Sequence, residues 1–123
     1  MRSAALLGIA GTALLVGGEV RSSDRSATEM LYCSNVGPVI VRVDGRHFSA
    51  SYRIAKANIE GSVVGLIHGN MATANWKDPD GRGRIYFFFS QDRSRFTTAY
   101  NNDRRPTAWF GPWIGTRVST PEC

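Results

Sequence analysis

The feature that most constrains the fold is an alternation of apolar and polar residues with a period of two, which begins at Met30. Side chains of a β-strand point alternately to the two faces of a sheet, so this period predicts strands rather than amphipathic helices. One run shows the pattern clearly, because its apolar side chains all share one face: Phe48, Ala50, Tyr52 and Ile54. No window has the 3.6-residue period of a helix that buries one face.

Turn residues separate the alternating runs at intervals of about 8–12 residues, the spacing of an all-β sandwich or barrel. Asp44-Gly45 is a hairpin signal, and we expect these two residues to form the turn because both tolerate positive φ. His68-Gly69-Asn70 and the run 78–81 mark further turns. The sequence therefore predicts an all-β fold, an antiparallel up-and-down meander or small barrel of about seven to eight strands.

The first 18 residues are typical of a signal peptide. Arg2 gives a positive start, and residues 4–18 are apolar except for Thr12, which is shorter than the roughly 20 residues of a membrane span. We therefore expect residues 1–18 to be removed, 19–29 to form a flexible leader, and 30–123 to form a single β domain. Export to the periplasm or the exterior follows, with no membrane span in the mature chain. An uncleaved anchor or a transit peptide is the alternative.

The chain has two cysteines, Cys33 and the terminal Cys123. A pair of cysteines in an exported protein indicates a disulfide bond. This bond would close a loop of about 90 residues, for which chain entropy predicts a stabilisation of roughly 4–5 kcal/mol. Two free thiols, or a bond between chains, are the alternatives.

The most apolar strand, residues 84–89, has an aromatic residue at four of its six positions. We expect Ile85, Phe87 and Phe89 to fill the core, which leaves Tyr86 and Phe88 on the opposite face. These two rings are either covered by the leader or the 101–107 loop, or exposed as a docking surface. The residues predicted to contact a ligand are the aromatic side chains and one neighbouring arginine: Trp76, Tyr86, Phe88, Trp109, Trp113 and Arg84.

The charge of the chain narrows the choice of partner. The formal net charge is +5, and between Met30 and Val118 there are 12 basic residues, ten of them arginine, against six acids. The basic surface is either merely solvated or attracts anionic groups. An exported protein meets envelope polymers and other proteins rather than nucleic acid. We therefore predict an unknown small ligand, an anionic envelope polymer or an acidic protein as partner, and consider nucleic acid unlikely.

Nothing in the sequence indicates catalysis. His47 and His68 fall in different hairpins, without the spacing of a metal or catalytic motif. Asp78 and Asp80 precede Gly81, but turn formation explains this run better than a calcium loop, which needs further oxygen ligands. We therefore predict that the protein is not an enzyme, has no catalytic residue and binds neither a metal nor a cofactor.

An ordered set of motifs resembles small exported bacterial β-meander modules of uncharacterised function. The matching segments lie between Tyr32 and Val118 and include G-x-V-x-G-x-x-x-G-N from Gly61, the Trp76 region, and W-x-G-T-R from Trp113. The resemblance implies an exported β-sheet protein similar to the calycin barrels of avidins and lipocalins. It carries no catalytic motif.

A second resemblance is to periplasmic inhibitors of C-type lysozyme, and it rests on Tyr32-Cys33 and Cys123. The inhibitory Ser-Gly-x-Lys/Arg-Tyr motif of that family is absent, and residues 50–53 are a poor substitute. Three functions follow in order: a binding module, an envelope inhibitor of a hydrolase, and an enzyme with an unrecognised site. A cavity of roughly 300 Å³ or more lined by Trp and Tyr would favour the first. A protruding Arg-bearing loop at 91–95 or 101–106 would favour the second.

Overall fold

Eight antiparallel strands, each hydrogen-bonded to the next in sequence, form a closed barrel in the computed structural model, which describes residues 27–120 and 122–123. The all-β prediction is confirmed, and the meander closes on itself. The strands are β1 (Ala27–Ser34), β2 (Pro38–Asp44), β3 (His47–Ile54), β4 (Ile59–His68), β5 (Met71–Asp78), β6 (Gly81–Phe89), β7 (Arg95–Asn102) and β8 (Arg105–Val118).

The predicted signal peptide, 1–18, lies outside the described residues, as does most of the predicted leader. The strand β1 begins at Ala27, so the last three residues of the predicted leader segment, 19–29, are part of the barrel. In the described part of the chain, no helix is long and apolar enough to cross a membrane.

The first hairpin differs in detail from its sequence prediction. Asp44 is the last residue of β2 and pairs with His47, so the turn consists of Gly45 and Arg46 rather than Asp44 and Gly45. Of these two turn residues, Gly45 has positive φ, at 62°. The shift has a simple cause, because a two-residue hairpin loop needs the permissive residue at its first turn position.

The barrel interior is filled over most of its length by aromatic and branched side chains. Ile85, Phe87 and Phe89 all point inward and are buried, as the alternation of β6 predicts. The rings of Phe48, Phe87, Phe89 and Phe96 lie with neighbouring centroids 5.0–6.0 Å apart. Offset and edge-on ring contacts of this kind add to the stabilisation that burial itself supplies.

The 90–94 turn closes one end of the barrel. Its Arg93 guanidinium donates hydrogen bonds to the Gly69 carbonyl (2.8 Å) and to Asn70 Oδ1 (3.2 Å) and lies 6.0 Å from the centroid of the Phe89 ring. The buried Tyr32 hydroxyl donates to the Arg93 carbonyl at 2.7 Å. This turn therefore bridges to the 69–70 turn and covers the phenylalanine core.

The seam of the barrel joins β1 to β8 through four residue pairs, from Leu31–Val118 to Ser34–Gly115. Cys33 lies in this seam and is disulfide-bonded to Cys123, with the two Cα atoms 5.5 Å apart. The predicted intramolecular disulfide is confirmed. It holds the end of the chain against β1, where the barrel closes.

A cavity in the open end of the barrel

The opposite end of the barrel contains a cavity of about 210 Å³. This end carries the turns that follow β1, β3, β5 and β7, because alternate strands of a meander run in the same direction. The lining combines aromatic, aliphatic and acidic side chains: Val36, Tyr52, Ile54, Trp76, Asp78, Asp80, Ile85, Tyr100, Asn102 and Trp113.

Three of the four aromatic residues of the cavity occupy equivalent positions on parallel-running strands. Tyr52, Trp76 and Tyr100 each lie two residues before the end of β3, β5 and β7, respectively. An even spacing from the strand end places these side chains on the same face as the inward-pointing residues. The fourth ring, Trp113, comes from β8.

Hydrogen bonds hold both indole rings in place. Trp76 Nε1 donates to the Asn101 carbonyl and Trp113 Nε1 donates to Ser34 Oγ, each at 2.7 Å. The Ser34 hydroxyl is itself fixed, because it donates to the Gly37 carbonyl at 2.6 Å. The indole groups are therefore satisfied by the protein, which keeps their orientation independent of a ligand.

The four rings form two edge-to-face pairs. Trp76 and Tyr100 have centroids 6.3 Å apart with planes at 85°, and Tyr52 and Trp113 have centroids 5.4 Å apart with planes at 68°. Gly61, which pairs with Tyr52 across the sheet, makes room for one of these rings. A Cβ atom at Gly61 would collide with the Tyr52 ring, so glycine at this position is a steric requirement of the cavity wall.

A tyrosine–carboxylate contact joins the cavity wall to the β5–β6 turn. The Tyr52 hydroxyl donates to Asp78 Oδ2 at 2.6 Å, and the Asp80 backbone N–H donates to Asp78 Oδ1 at 2.8 Å. Burial raises the pKa of the Tyr52 hydroxyl well above its usual value, and the hydrogen bond to Asp78 and its negative charge raise it further. Tyr52 is therefore a neutral hydrogen-bond donor to Asp78 throughout the physiological pH range.

Asp78 and Asp80 carry their charge without a basic partner. Among the described residues, no Lys, Arg or His nitrogen lies within 4.0 Å of either carboxylate. Basic side chains occur nearby, but they line a neighbouring depression that includes Lys77, Arg82 and Arg104. None of these three side chains lines the aromatic cavity.

The six residues predicted to contact a ligand fall into two groups separated by the barrel wall. Trp76 and Trp113 line the cavity. Tyr86, Phe88, Trp109 and Arg84 lie on the outside, where Tyr86 has its ring centroid 5.5 Å from that of Trp109 and 6.5 Å from that of Phe88. The six side chains therefore cannot form one site.

The outer rings also answer the question of what covers them. Tyr86 is half-buried and packs against Trp109, whereas Phe88 is 42% and Trp109 is 47% exposed in the described structure. The 101–107 segment does not cover Phe88, because most of it belongs to β7 and β8. Ligand binding by this outer surface stays a prediction.

Sequence reasoning missed Tyr100, Asp78, Asp80 and the aliphatic residues of the cavity. It interpreted the two aspartates as turn residues, which they are, since Asp78 Oδ1 caps the turn through Asp80 N–H. The available signal was the repeated aromatic residue two positions before the end of alternate strands. That signal becomes useful only when the strand ends and the closure of the barrel are known.

The described residues contain no group of three or more His, Cys, Asp or Glu side chains placed to hold a metal ion. The side chains of the cavity offer instead ring surfaces, two carboxylates and the Asn102 amide. Such a lining can hold a small organic molecule and orient it by hydrogen bonds or charge.

The fold and the cavity together define a small up-and-down β-barrel that is plugged at one end and open at the other. This architecture is consistent with a calycin-like barrel. Comparisons with protein families, with curated proteins and with solved structures find no match for this chain. The resemblance to exported meander modules and to lysozyme inhibitors therefore stays a prediction from the sequence motifs.

Proposed function

We propose that the protein is an exported, non-enzymatic binding module that holds a small organic ligand in the open end of its barrel. The observation that carries this proposal is the cavity of about 210 Å³, lined by four aromatic rings, in a barrel that is otherwise solid. Burial of a ligand's apolar surface against these rings supplies the affinity, and the polar groups at the rim orient the ligand.

The size of the cavity limits the size of the ligand. It exceeds the roughly 150 Å³ of an engineered apolar cavity that binds benzene. It falls short of the roughly 300 Å³ at which pockets for drug-sized molecules begin. A single ring, or a head group of similar volume whose remainder projects from the barrel, is the occupant that fits.

Two features support export and binding over the other functions. The Cys33–Cys123 disulfide is typical of oxidising compartments outside the cytoplasm. A hydrolase inhibitor needs a projecting loop, yet Arg93 ties the 90–94 turn to the barrel end and the β7–β8 turn is only two residues long. Inhibition of a hydrolase is therefore the second candidate.

The experiment uses the three tryptophans as built-in reporters. Benzyl alcohol is titrated into the ¹⁵N-labelled protein, and the indole N–H signals are followed by NMR. Binding in the cavity shifts the signals of Trp76 and Trp113 with one saturation curve and leaves that of Trp109, on the outer wall, in place. No saturable shift, or a larger shift at Trp109, would refute the proposed site.

A filled cavity provides the matched control. Ile54→Trp places a larger side chain in the cavity, while Ile40→Trp makes the same change on the outer wall, where Ile40 is 38% exposed. We expect the first variant to lose benzyl alcohol binding and the second to retain it. Equal affinity in a folded Ile54→Trp protein would contradict a site inside the barrel.

A further inference from the structure

The aromatic lining of the cavity suits a positively charged group. The rings of Tyr52, Trp76, Tyr100 and Trp113 surround one space, and the two pairs meet at steep angles. The face of an aromatic ring is electron-rich and attracts a cation within about 6 Å of its centroid, most strongly for tryptophan. Several rings around one small volume form the arrangement that proteins use for alkylated ammonium groups.

The carboxylates supply the complementary charge. Asp78 uses one oxygen to accept from Tyr52 and the other to accept from the Asp80 N–H, which leaves about two of its four lone-pair positions open. Asp80 is exposed at the rim. Neither carboxylate is paired with a basic side chain within the described residues, although the chain as a whole has a net charge of +5.

The distribution of charge around the open end sharpens this contrast. Lys77 and Arg82 are neighbours across β5 and β6, and they are exposed on the outer side of the sheet. Arg82 lies 3.7 Å from Asp103, so part of the local basic charge is already paired. The interior of the cavity therefore combines aromatic rings with negative charge, while the basic groups face away from it.

We propose that the ligand of this cavity is a small organic cation, an alkylated ammonium group that is enclosed by the four rings and paired with Asp78 and Asp80. This inference rests on the proposed function, because it requires that the cavity binds a ligand. It adds the chemical class of that ligand. The cation fills the apolar volume with its alkyl groups and places its charge against the carboxylates.

The test compares choline with its neutral carbon isostere, in which a tert-butyl group replaces the trimethylammonium group. The two molecules have nearly the same shape and differ in charge. Affinities are measured by the same indole N–H titration, at low ionic strength because salt screens exposed charges. We expect choline to bind at least about tenfold more tightly than the isostere.

Charge-removing variants assign that preference to specific side chains. Asp78→Asn and Asp80→Asn retain shape and each remove one negative charge. Asp103→Asn is the matched control at the same end of the barrel, because Asp103 pairs with Arg82 and does not line the cavity. We expect the first two changes to weaken choline binding about five- to tenfold and the control to change it by less than about twofold.

The outcomes separate this inference from the proposed function. If choline and the isostere bind equally, or if Asp78→Asn and Asp80→Asn both leave choline binding unchanged, the cation is the wrong ligand class, although the cavity remains a binding site. If neither molecule nor benzyl alcohol binds, the proposed function falls as well. Loss of the isostere in Asp78→Asn would indicate a damaged cavity, and Asp80→Asn, whose side chain is exposed, then decides.

Discussion

Removal of the Cys33–Cys123 bond is the perturbation with the most direct consequence for stability. The bond joins residues 90 positions apart, so it encloses nearly the whole barrel. A cross-link lowers the entropy of the unfolded chain, and the loss grows with the logarithm of the loop length. For a loop of about 90 residues the loss is about 15 cal/mol/K, which corresponds to about 4.6 kcal/mol at 25 °C.

The double variant Cys33→Ser/Cys123→Ser is therefore expected to lose about 3–5 kcal/mol of unfolding free energy. Small domains have about 5–15 kcal/mol in total, so the variant retains its fold with a much lower urea midpoint. The m-value is expected to rise, because the unlinked unfolded chain exposes more surface. Tryptophan fluorescence in urea, with Trp113 buried inside the barrel, measures both quantities.

The single variants serve as internal controls. Either Cys33→Ser or Cys123→Ser breaks the bond, so each single change is expected to cost nearly as much as the double change, with a reductant present to prevent bonds between chains. This strong non-additivity marks a shared interaction. Costs that add, or a double variant that loses less than about 1 kcal/mol with an unchanged m-value, would refute the chain-entropy argument.

Three further predictions concern the cavity wall and the turn that closes the barrel. Gly61→Ala forces the Tyr52 ring to move, so we expect a loss of about 1–3 kcal/mol in urea denaturation and weaker binding of benzyl alcohol; the exposed neighbour variant Ser62→Ala is expected to change neither. Because the pKa of Tyr52 is raised in the folded state, the unfolded chain releases this proton first. Stability therefore falls as the pH rises above about 10, and the fall is shallower in Tyr52→Phe when urea midpoints are compared. Hydrogen bonds from the Ser94 hydroxyl and N–H lower the pKa of Asp92 to about 2. Its contribution to stability is present above about pH 4 and is lost as the pH falls towards 2, so Asp92→Asn is expected to flatten the dependence of Tm on pH in that range, and an unchanged slope would contradict it.

The fold could be read from the sequence because its signals are local. Alternation sends Phe87 inward and Phe88 outward irrespective of what lies beyond the strand. Gly45 and Gly69 have φ values of 62° and 63° and begin two-residue turns, so the hairpins are encoded within a few residues. The disulfide was predictable for another reason, because Cys33 and Cys123 are the only cysteines in the chain.

The site depends instead on relations that alternation does not contain. Whether an aromatic side chain points inward follows from its strand, but its height along the barrel axis follows from the stagger of all eight strands. Tyr52 and Asp78 are 26 residues apart and meet only because β3 and β5 end at the same side of a closed barrel. The separation of Trp109 from Trp113 depends on the bulge of β8, where three residues span the distance covered by two in β7.

The chemistry of the aromatic residues nevertheless follows their position along the barrel. Phenylalanine fills the solid part of the interior, with Phe48, Phe87, Phe89 and Phe96 all buried. Tyrosine and tryptophan line the open end, where the Tyr52 hydroxyl and the indole nitrogens have hydrogen-bond partners. Because these side chains join a large apolar surface to one polar group, they can border a cavity that is reached by water. A phenylalanine at position 52 or 76 would preserve the apolar contacts but release Asp78 or the Asn101 carbonyl, so the choice of ring type at these positions serves the cavity rather than the core.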